Sequence, residues 1–152
     1  MPGSGGSRRS FTLLELIIVI IIIGVLATLG FMQYSFMLEK ARTTEAVTAI
    51  GLMRQLTDAY YLRNNQSLSG MRDADVGATN TCTGSNFFSY STDRSGSSTV
   101  DLMATRCTSG GKQPDAERGY VYLLQYTPAS AIYKWMCVYE DDGSACFGQP
   151  SS

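Results

Sequence analysis

Apolar side chains are concentrated in one long run near the start of the chain. Residues 16–38 contain no formal charge and consist mainly of Leu, Ile, Val and other apolar types. A helix rises about 1.5 Å per residue, so this run would be about 35 Å long and would reach across the hydrocarbon core of a bilayer. The pattern therefore predicts a transmembrane helix over residues 11–38.

The helical pattern continues beyond residue 38, but with one apolar face instead of apolar residues all round. No proline interrupts this segment. The apolar residues recur at helical spacing, at Ala46, Ala49, Ile50, Met53, Leu56 and Tyr60. We therefore predict one helix from about residue 11 to about residue 63. It is expected to end at Asn64-Asn65, because asparagine tolerates the left-handed conformation at a helix C-cap.

The composition of the chain changes at residue 66. Residues 66–119 are rich in Ser, Thr, Gly, Asn and Asp, with short apolar islands at 87–90 and 99–106, and this pattern predicts a long loop that leads into a strand. Residues 119–127 and 131–139 are rich in aromatic and β-branched types and are joined by a short Thr-Pro-Ala-Ser connection, which predicts a hairpin. The expected fold class is α+β, with the long helix packed on a small antiparallel sheet of three to four strands.

Two arginines set the expected orientation of the chain. Residues 1–10 are rich in Gly and Ser, contain Arg8 and Arg9 and lack an apolar run, so we interpret them as a cytoplasmic leader peptide. Basic residues stay on the cytoplasmic side of a membrane helix, so residues 39–152 are expected to be exported as a globular head. A secretory signal peptide would end its apolar core at a small-x-small cleavage site, and residues 25–30 match that pattern poorly.

The four cysteines, Cys82, Cys107, Cys137 and Cys146, all lie in the part of the chain that is expected to be exported. An even number of cysteines in such a domain favours two disulfides. None of them forms a CxxC pair, so a four-thiolate zinc site is disfavoured. Three pairings are open. We favour Cys82 with Cys107 and Cys137 with Cys146, because the second pair encloses the turn-rich residues 138–145.

Composition narrows the classes of function. A length of 152 residues, with 44% hydrophobic types, suits one domain and an anchor. The chain has no histidine, the commonest general base and metal ligand, so we expect neither an enzyme nor a resident metal or cofactor. A formal net charge of -1 argues against a nucleic acid as partner. We expect an ordinary charged surface from the basic residues Arg72, Arg94, Arg106, Lys112, Arg118 and Lys134.

Glu15 is unexpected in its context, because it lies just inside the apolar helix. A charged side chain in the bilayer interior costs on the order of 3 kcal/mol, so such an acid is a functional candidate that needs a partner. The residues around it, Arg8-Arg9-Ser10 followed by Phe-Thr-Leu-Leu-Glu-Leu at 11–16, resemble the N-terminal processing motif of the type IV pilin superfamily. Ser10 stands where that family usually has glycine.

The resemblance implies a maturation step and an assembly role for these residues. A prepilin peptidase would cleave between Ser10 and Phe11, the new amino group of Phe11 would be methylated, and Glu15 would pair with the N-terminus of a neighbouring subunit. A carboxylate and an amino group in a low-dielectric core can satisfy each other, whereas either group alone is costly there. Phe11 and Glu15 are therefore the candidate assembly residues.

The same resemblance implies a structural subunit of a type IV pilus. Such a subunit is held in the inner membrane before assembly and is then built by the pilus machinery into a helical filament on the cell surface, with residues 11–38 in the filament core. A pseudopilin of a type II secretion system is the alternative within the superfamily. A single-pass anchored binding protein that never polymerises is the alternative outside it.

Cys137 and Cys146 resemble the disulfide-bounded loop near the C-terminus of many pilins. The acids Glu140, Asp141 and Asp142 lie inside this loop, and some pseudopilins bind calcium at a C-terminal loop. Three adjacent acids do not by themselves provide the spacing of calcium ligands. We therefore expect a solvated turn here, with calcium binding as the alternative.

Overall fold

A computed structural model describes residues 12–96 and 98–151 of the chain. Its regular elements are one long helix, α1 (Leu13–Arg63), a short 3₁₀ helix (Asp73–Val76) and four strands, β1 (Phe88–Ser95), β2 (Thr99–Arg106), β3 (Tyr120–Thr127) and β4 (Ile132–Tyr139). The predicted α+β fold, with a long helix and a small antiparallel sheet, is confirmed.

The helix α1 ends where the sequence predicts. It extends over Leu13–Arg63, and the next backbone N–H, that of Asn64, still donates to the carbonyl oxygen of Tyr60 at 3.0 Å. Asn65 and Gln66 then take positive φ values of 52° and 59°. Asparagine tolerates this left-handed region better than most residues, so the chain leaves the helix at this point.

The chain divides into two compact units between Glu39 and Lys40. In the first unit, the side chains of α1 between residues 13 and 38 are exposed wherever they are described. Leu16, Ile20 and Phe31, for example, are 60%, 58% and 73% exposed. A helix that is apolar all round is unfavourable in water, so this surface requires lipid or protein around it.

In the second unit, the four strands form an antiparallel sheet in the order β1-β2-β3-β4. Buried and half-buried positions alternate along β2 and β3, since successive side chains of a strand point to opposite faces. The predicted apolar face of α1 is buried at Ala46, Ile50 and Met53, which share one core with Leu102 and Leu124. The helix therefore covers one face of the sheet.

The predicted hairpin over residues 119–139 is formed by β3 and β4, but the long loop predicted over residues 66–119 is wrong in part. That segment contains both β1 and β2, which pair so that Phe88 lies opposite Arg106. Most positions of β1 are Ser, Thr or Asp, and only Phe88 and Tyr90 mark its buried face. Backbone pairing with β2 defines this strand, and apolar alternation alone does not reveal it.

Candidate assembly site

Thr12 caps the start of α1. Its side-chain Oγ1 accepts a hydrogen bond from the backbone N–H of Glu15 at 3.3 Å, and its carbonyl oxygen accepts one from the N–H of Leu16 at 3.3 Å. Threonine followed three residues later by glutamate is the sequence pattern of a capping box. Glu15 thus lies in the first turn of the helix, where a carboxylate also interacts favourably with the helix dipole.

The predicted cleavage site, Ser10 and Phe11, lies outside the described residues. Cleavage there, methylation of Phe11 and pairing of Glu15 with another N-terminus therefore stay predictions. The structure does give the surroundings of Glu15. Its neighbours Leu14 and Leu16 are 70% and 60% exposed, and every described side chain between residues 12 and 31 is exposed. Glu15 thus belongs to an apolar surface that a single copy of the chain leaves uncovered.

By length and composition, α1 could cross a membrane. Its most apolar stretch contributes nothing to the buried core of the single chain. The division into a leader at residues 1–10, a membrane or filament-core helix at 11–38 and a head at 39–152 stays a prediction.

The structure contains two disulfides, Cys82–Cys107 and Cys137–Cys146, with Cα–Cα distances of 5.9 and 5.2 Å. These are the pairs that the sequence favours. The first joins the loop before β1 to the residue that follows β2, and the second joins β4 to the segment after it. A disulfide typically stabilises a domain by about 2 to 4 kcal/mol, because it restricts the unfolded chain.

Arg118 binds the acidic loop that follows β4. Its guanidinium donates to both carboxylate oxygens of Asp141, at 2.7, 2.8 and 2.9 Å, and lies 2.8 Å from a carboxylate oxygen of Asp142. Its Cζ is 3.6 Å from the ring centroid of Tyr139. Arg118 is the main cause that lowers the pKa of Asp141, whereas the pKa of Asp142 is lowered first by hydrogen bonds from Ser144. The loop is therefore fastened to the segment before β3.

The calcium alternative concerns the same acids. Arg118 already compensates charge on Asp141 and Asp142, and the third acid, Glu140, is exposed. In the part of the chain that the structure describes, no three His, Cys, Asp or Glu side chains form a group suited to a metal ion. Calcium binding in this loop stays an alternative that no observation tests.

Arg106 is not the surface charge that composition suggests. It is 1% exposed and donates to the carbonyl oxygens of Phe87, Cys107 and Pro114, each at 3.0 Å. It therefore joins the start of β1 to the loop after β2. The sequence could have indicated that Arg106 is buried, because period-two alternation places it on the same face of β2 as Val100, Leu102 and Ala104.

Glu45 links α1 to the first strand. Its carboxylate accepts hydrogen bonds from the backbone N–H of Phe87 at 2.9 Å and from the hydroxyl of Tyr90 at 3.3 Å. The pKa of Tyr90 is raised, first by burial and then by the charge and hydrogen bond of Glu45. The sequence does not reveal this role of Glu45, because helical spacing does not show which strand passes beside a residue.

The N-terminal residues match a known family, the prokaryotic N-terminal methylation motif, over residues 6–31. The chain is 43% identical over 63 residues to the type II secretion system core protein G of Pectobacterium carotovorum subsp. carotovorum, with 41% of this chain and 40% of that protein covered. It is 29% identical over 70 residues to a fimbrial protein of Pseudomonas aeruginosa, with 46% of each protein covered.

The chain thus spans less than half of the length of the curated relatives that it matches. The matched region includes the motif around Glu15, and the fold adds an antiparallel sheet packed on residues 40–63 of the long helix. Both observations agree with the resemblance found in the sequence. The N-terminal part of the chain is therefore similar to proteins of the type IV pilin and pseudopilin superfamily.

Proposed function

We propose that the chain is a structural subunit of a type IV pilus, processed by prepilin peptidase and polymerised through its N-terminal helix into a helical filament. The observation that carries this proposal is the place of Glu15. It lies in the first turn of a helix whose apolar side chains a single chain leaves exposed. Copies of the same helix would cover that surface and would supply an amino group for the acid.

The proposed cleavage between Ser10 and Phe11 gives Glu15 its partner. Before cleavage, the nitrogen of Phe11 belongs to a peptide bond and carries no charge. After cleavage it is a charged amino group, and the amino group of one subunit can approach Glu15 of the next in the apolar filament core. An isolated polar pair in an apolar interface favours one register over others, so the pair would fix the stagger of the helices.

The proposal assigns two locations to the chain. Before assembly, the apolar part of α1 holds the subunit in the inner membrane, with the leader in the cytoplasm. After cleavage and assembly, the same helix lies in the core of a surface filament. The partners are prepilin peptidase, the pilus assembly machinery and other copies of the chain, and no catalytic step is assigned to the subunit itself.

A pseudopilin of a type II secretion system is the second candidate, and the 43% identity to core protein G of such a system favours it. The polymerisation mechanism would be the same, but the fibre would be short and periplasmic. Imaging of material sheared from the cell surface separates the two. Long fibres that contain this chain would exclude an exclusive pseudopilus role.

Substitutions at the start of α1 test whether Glu15 acts by charge pairing. Glu15→Gln keeps a side chain that can complete a capping box but removes the charge, and Glu15→Ala removes both. We expect each to lower the ratio of sheared filament to membrane-held subunit by at least about tenfold, since the loss of one partner leaves a buried charge unpaired. Thr12→Ala, which removes the cap and keeps the charge, is the matched control and should still assemble.

Two outcomes would count against this mechanism. Normal filaments from Glu15→Gln would contradict charge pairing. An equal loss of filaments in Thr12→Ala would assign Glu15 to helix capping instead. The intact mass of the filament subunit tests processing separately, because a mature N-terminus at any residue other than Phe11 would refute the proposed cleavage.

A further inference from the structure

Arg54 is a cation on α1 that lies between two aromatic rings. Its Cζ is 5.7 Å from the ring centroids of both Tyr126 and Tyr133. Its Nε is buried and has no hydrogen-bond partner among the described residues. Asp58, the acid one helical turn further on, instead accepts a hydrogen bond from the hydroxyl of Tyr126 at 2.6 Å. Arg54 is therefore held in place with its charge still available to another group.

The group formed by Arg54, Tyr126 and Tyr133, here called the arginine–tyrosine cluster, is open to solvent on one side. Tyr133 is 54% exposed, and it belongs to β4, the last strand of the sheet. Aromatic rings orient a guanidinium without using its N–H donors, and those donors match the two oxygens of a carboxylate. The cluster is thus suited to an acidic side chain.

The opposite end of β4 carries the opposite charge. Glu140, Asp141 and Asp142 follow directly after the strand, and Arg118 compensates part of the charge by binding the two aspartates. Glu140 is exposed. A strand of 8 residues rises about 3.3 Å per residue, so the two ends of β4 are separated by about 23 Å. Within one copy, Glu140 is too far away to reach Arg54.

We propose that Arg54 binds Glu140 of a second copy of the chain in the filament. An open helical filament needs a heterologous contact, in which two different surfaces of the same molecule meet. The two ends of β4 provide such surfaces, because each copy presents the arginine–tyrosine cluster to one neighbour and Glu140 to another. This contact rests on the proposed polymerisation and adds a charged pair between the heads to the packing of the helices.

Charge exchange in the full-length chain tests the contact. Arg54→Glu and Glu140→Arg each bring like charges together, and we expect each to lower the ratio of sheared filament to membrane-held subunit by at least about tenfold. The double variant restores opposite charges and should recover the wild-type ratio to within about threefold. Arg63→Glu and Glu117→Arg make the same charge changes at exposed positions and are the matched controls that should assemble normally.

Cross-linking gives a readout that does not depend on the folding of the Arg54 variants. Filaments built from a mixture of Tyr133→Cys and Glu140→Cys chains should give disulfide-linked dimers on oxidation. A mixture in which Ser69→Cys, at an exposed position, replaces Tyr133→Cys should not.

Each failure has a distinct meaning. Suppose that the wild type forms filaments. If the single variants Arg54→Glu and Glu140→Arg then also assemble normally, or if the disulfide-linked dimer does not form, the contact is overturned and the proposed function is unaffected. Impaired single variants that the double variant does not restore would overturn the pairing and assign Arg54 to a different acid. Absence of wild-type filaments under the same conditions would overturn the proposed function, and this contact with it.

Discussion

Replacement of Glu45 tests whether a charged hydrogen bond fastens α1 to β1. The carboxylate accepts a short bond from the N–H of Phe87 at 2.9 Å and a longer one from the hydroxyl of Tyr90 at 3.3 Å. A hydrogen bond to a charged group contributes about 1.5 to 3 kcal/mol. The higher helix propensity of alanine offsets a few tenths of a kcal/mol of this loss in the free energy of unfolding. We therefore expect Glu45→Ala to lower the free energy of unfolding by about 2 to 3 kcal/mol.

Two further variants divide this loss between its causes. Glu45→Gln keeps an acceptor oxygen but no charge, and we expect it to cost about 1 kcal/mol. Tyr90→Phe removes only the longer bond and should cost about 0.5 to 1 kcal/mol. Gln55→Ala changes an exposed position of the same helix and should stay within about 0.5 kcal/mol of the wild type.

The chain contains its own reporter for this experiment. Trp135 is the single tryptophan, and its ring centroid lies 5.7 Å from that of Tyr122, so its fluorescence follows unfolding of the sheet. The full chain in detergent micelles, with its disulfides intact, would be titrated with urea at pH 7. A loss of less than about 0.5 kcal/mol in Glu45→Ala would refute the reasoning, because the N–H of Phe87 would then have found another acceptor at no cost.

Two more predictions use the same assay. Ile50 is 0% exposed and Leu52 is 58% exposed. Ile50→Ala should therefore lower the free energy of unfolding by about 2 to 5 kcal/mol, and Leu52→Ala by about 0.5 kcal/mol or less. Equal losses would contradict the assignment of the buried face of α1. Burial, then the hydrogen bond and charge of Asp58, raise the pKa of Tyr126 to about 12 from the ordinary 10.0. Its contribution to stability is therefore complete below pH 10 and is lost as the pH rises from 10 towards 12, because the unfolded state ionises first. Tyr126→Phe should decline less over this range, and equal slopes for the two proteins would refute the link.

The spacing of apolar residues in the sequence predicts those helices and strands that bury one face. The apolar face of α1 and the hairpin of β3 and β4 follow from it, since burial on one face demands apolar residues at regular intervals. The strand β1 does not, because its outward positions are small and polar and its pairing with β2 depends on backbone groups that every residue has. Arg106 lies between these two cases. Alternation of apolar and polar residues marks its strand, β2, in the sequence, but its charge suggested an exposed position.

The candidate site divides in the same way. Glu15 stands out in the sequence, because a charge in an apolar run is conspicuous without any structure. The cluster around Arg54 does not, because Tyr126 and Tyr133 come from two strands far along the chain and only the packing of the sheet on α1 brings them to one place. Contacts of this kind depend on register and on helix rotation, which a single sequence leaves undetermined.

The segment after β4 has a consequence for how the heads can associate. The N–H of Cys137 donates to the carbonyl oxygen of Pro150 at 2.9 Å, that of Tyr139 donates to Ser144 at 2.9 Å, and that of Cys146 donates back to Cys137 at 3.1 Å. Part of the sheet's outer edge is thus already hydrogen-bonded within the chain, and Lys134 lies on the remainder. A covered or charged edge discourages sheets from merging into a continuous ladder, which is the route to fibres that do not come apart. In the proposed filament, such an edge would favour heads that meet through side chains and helices instead of through a shared sheet.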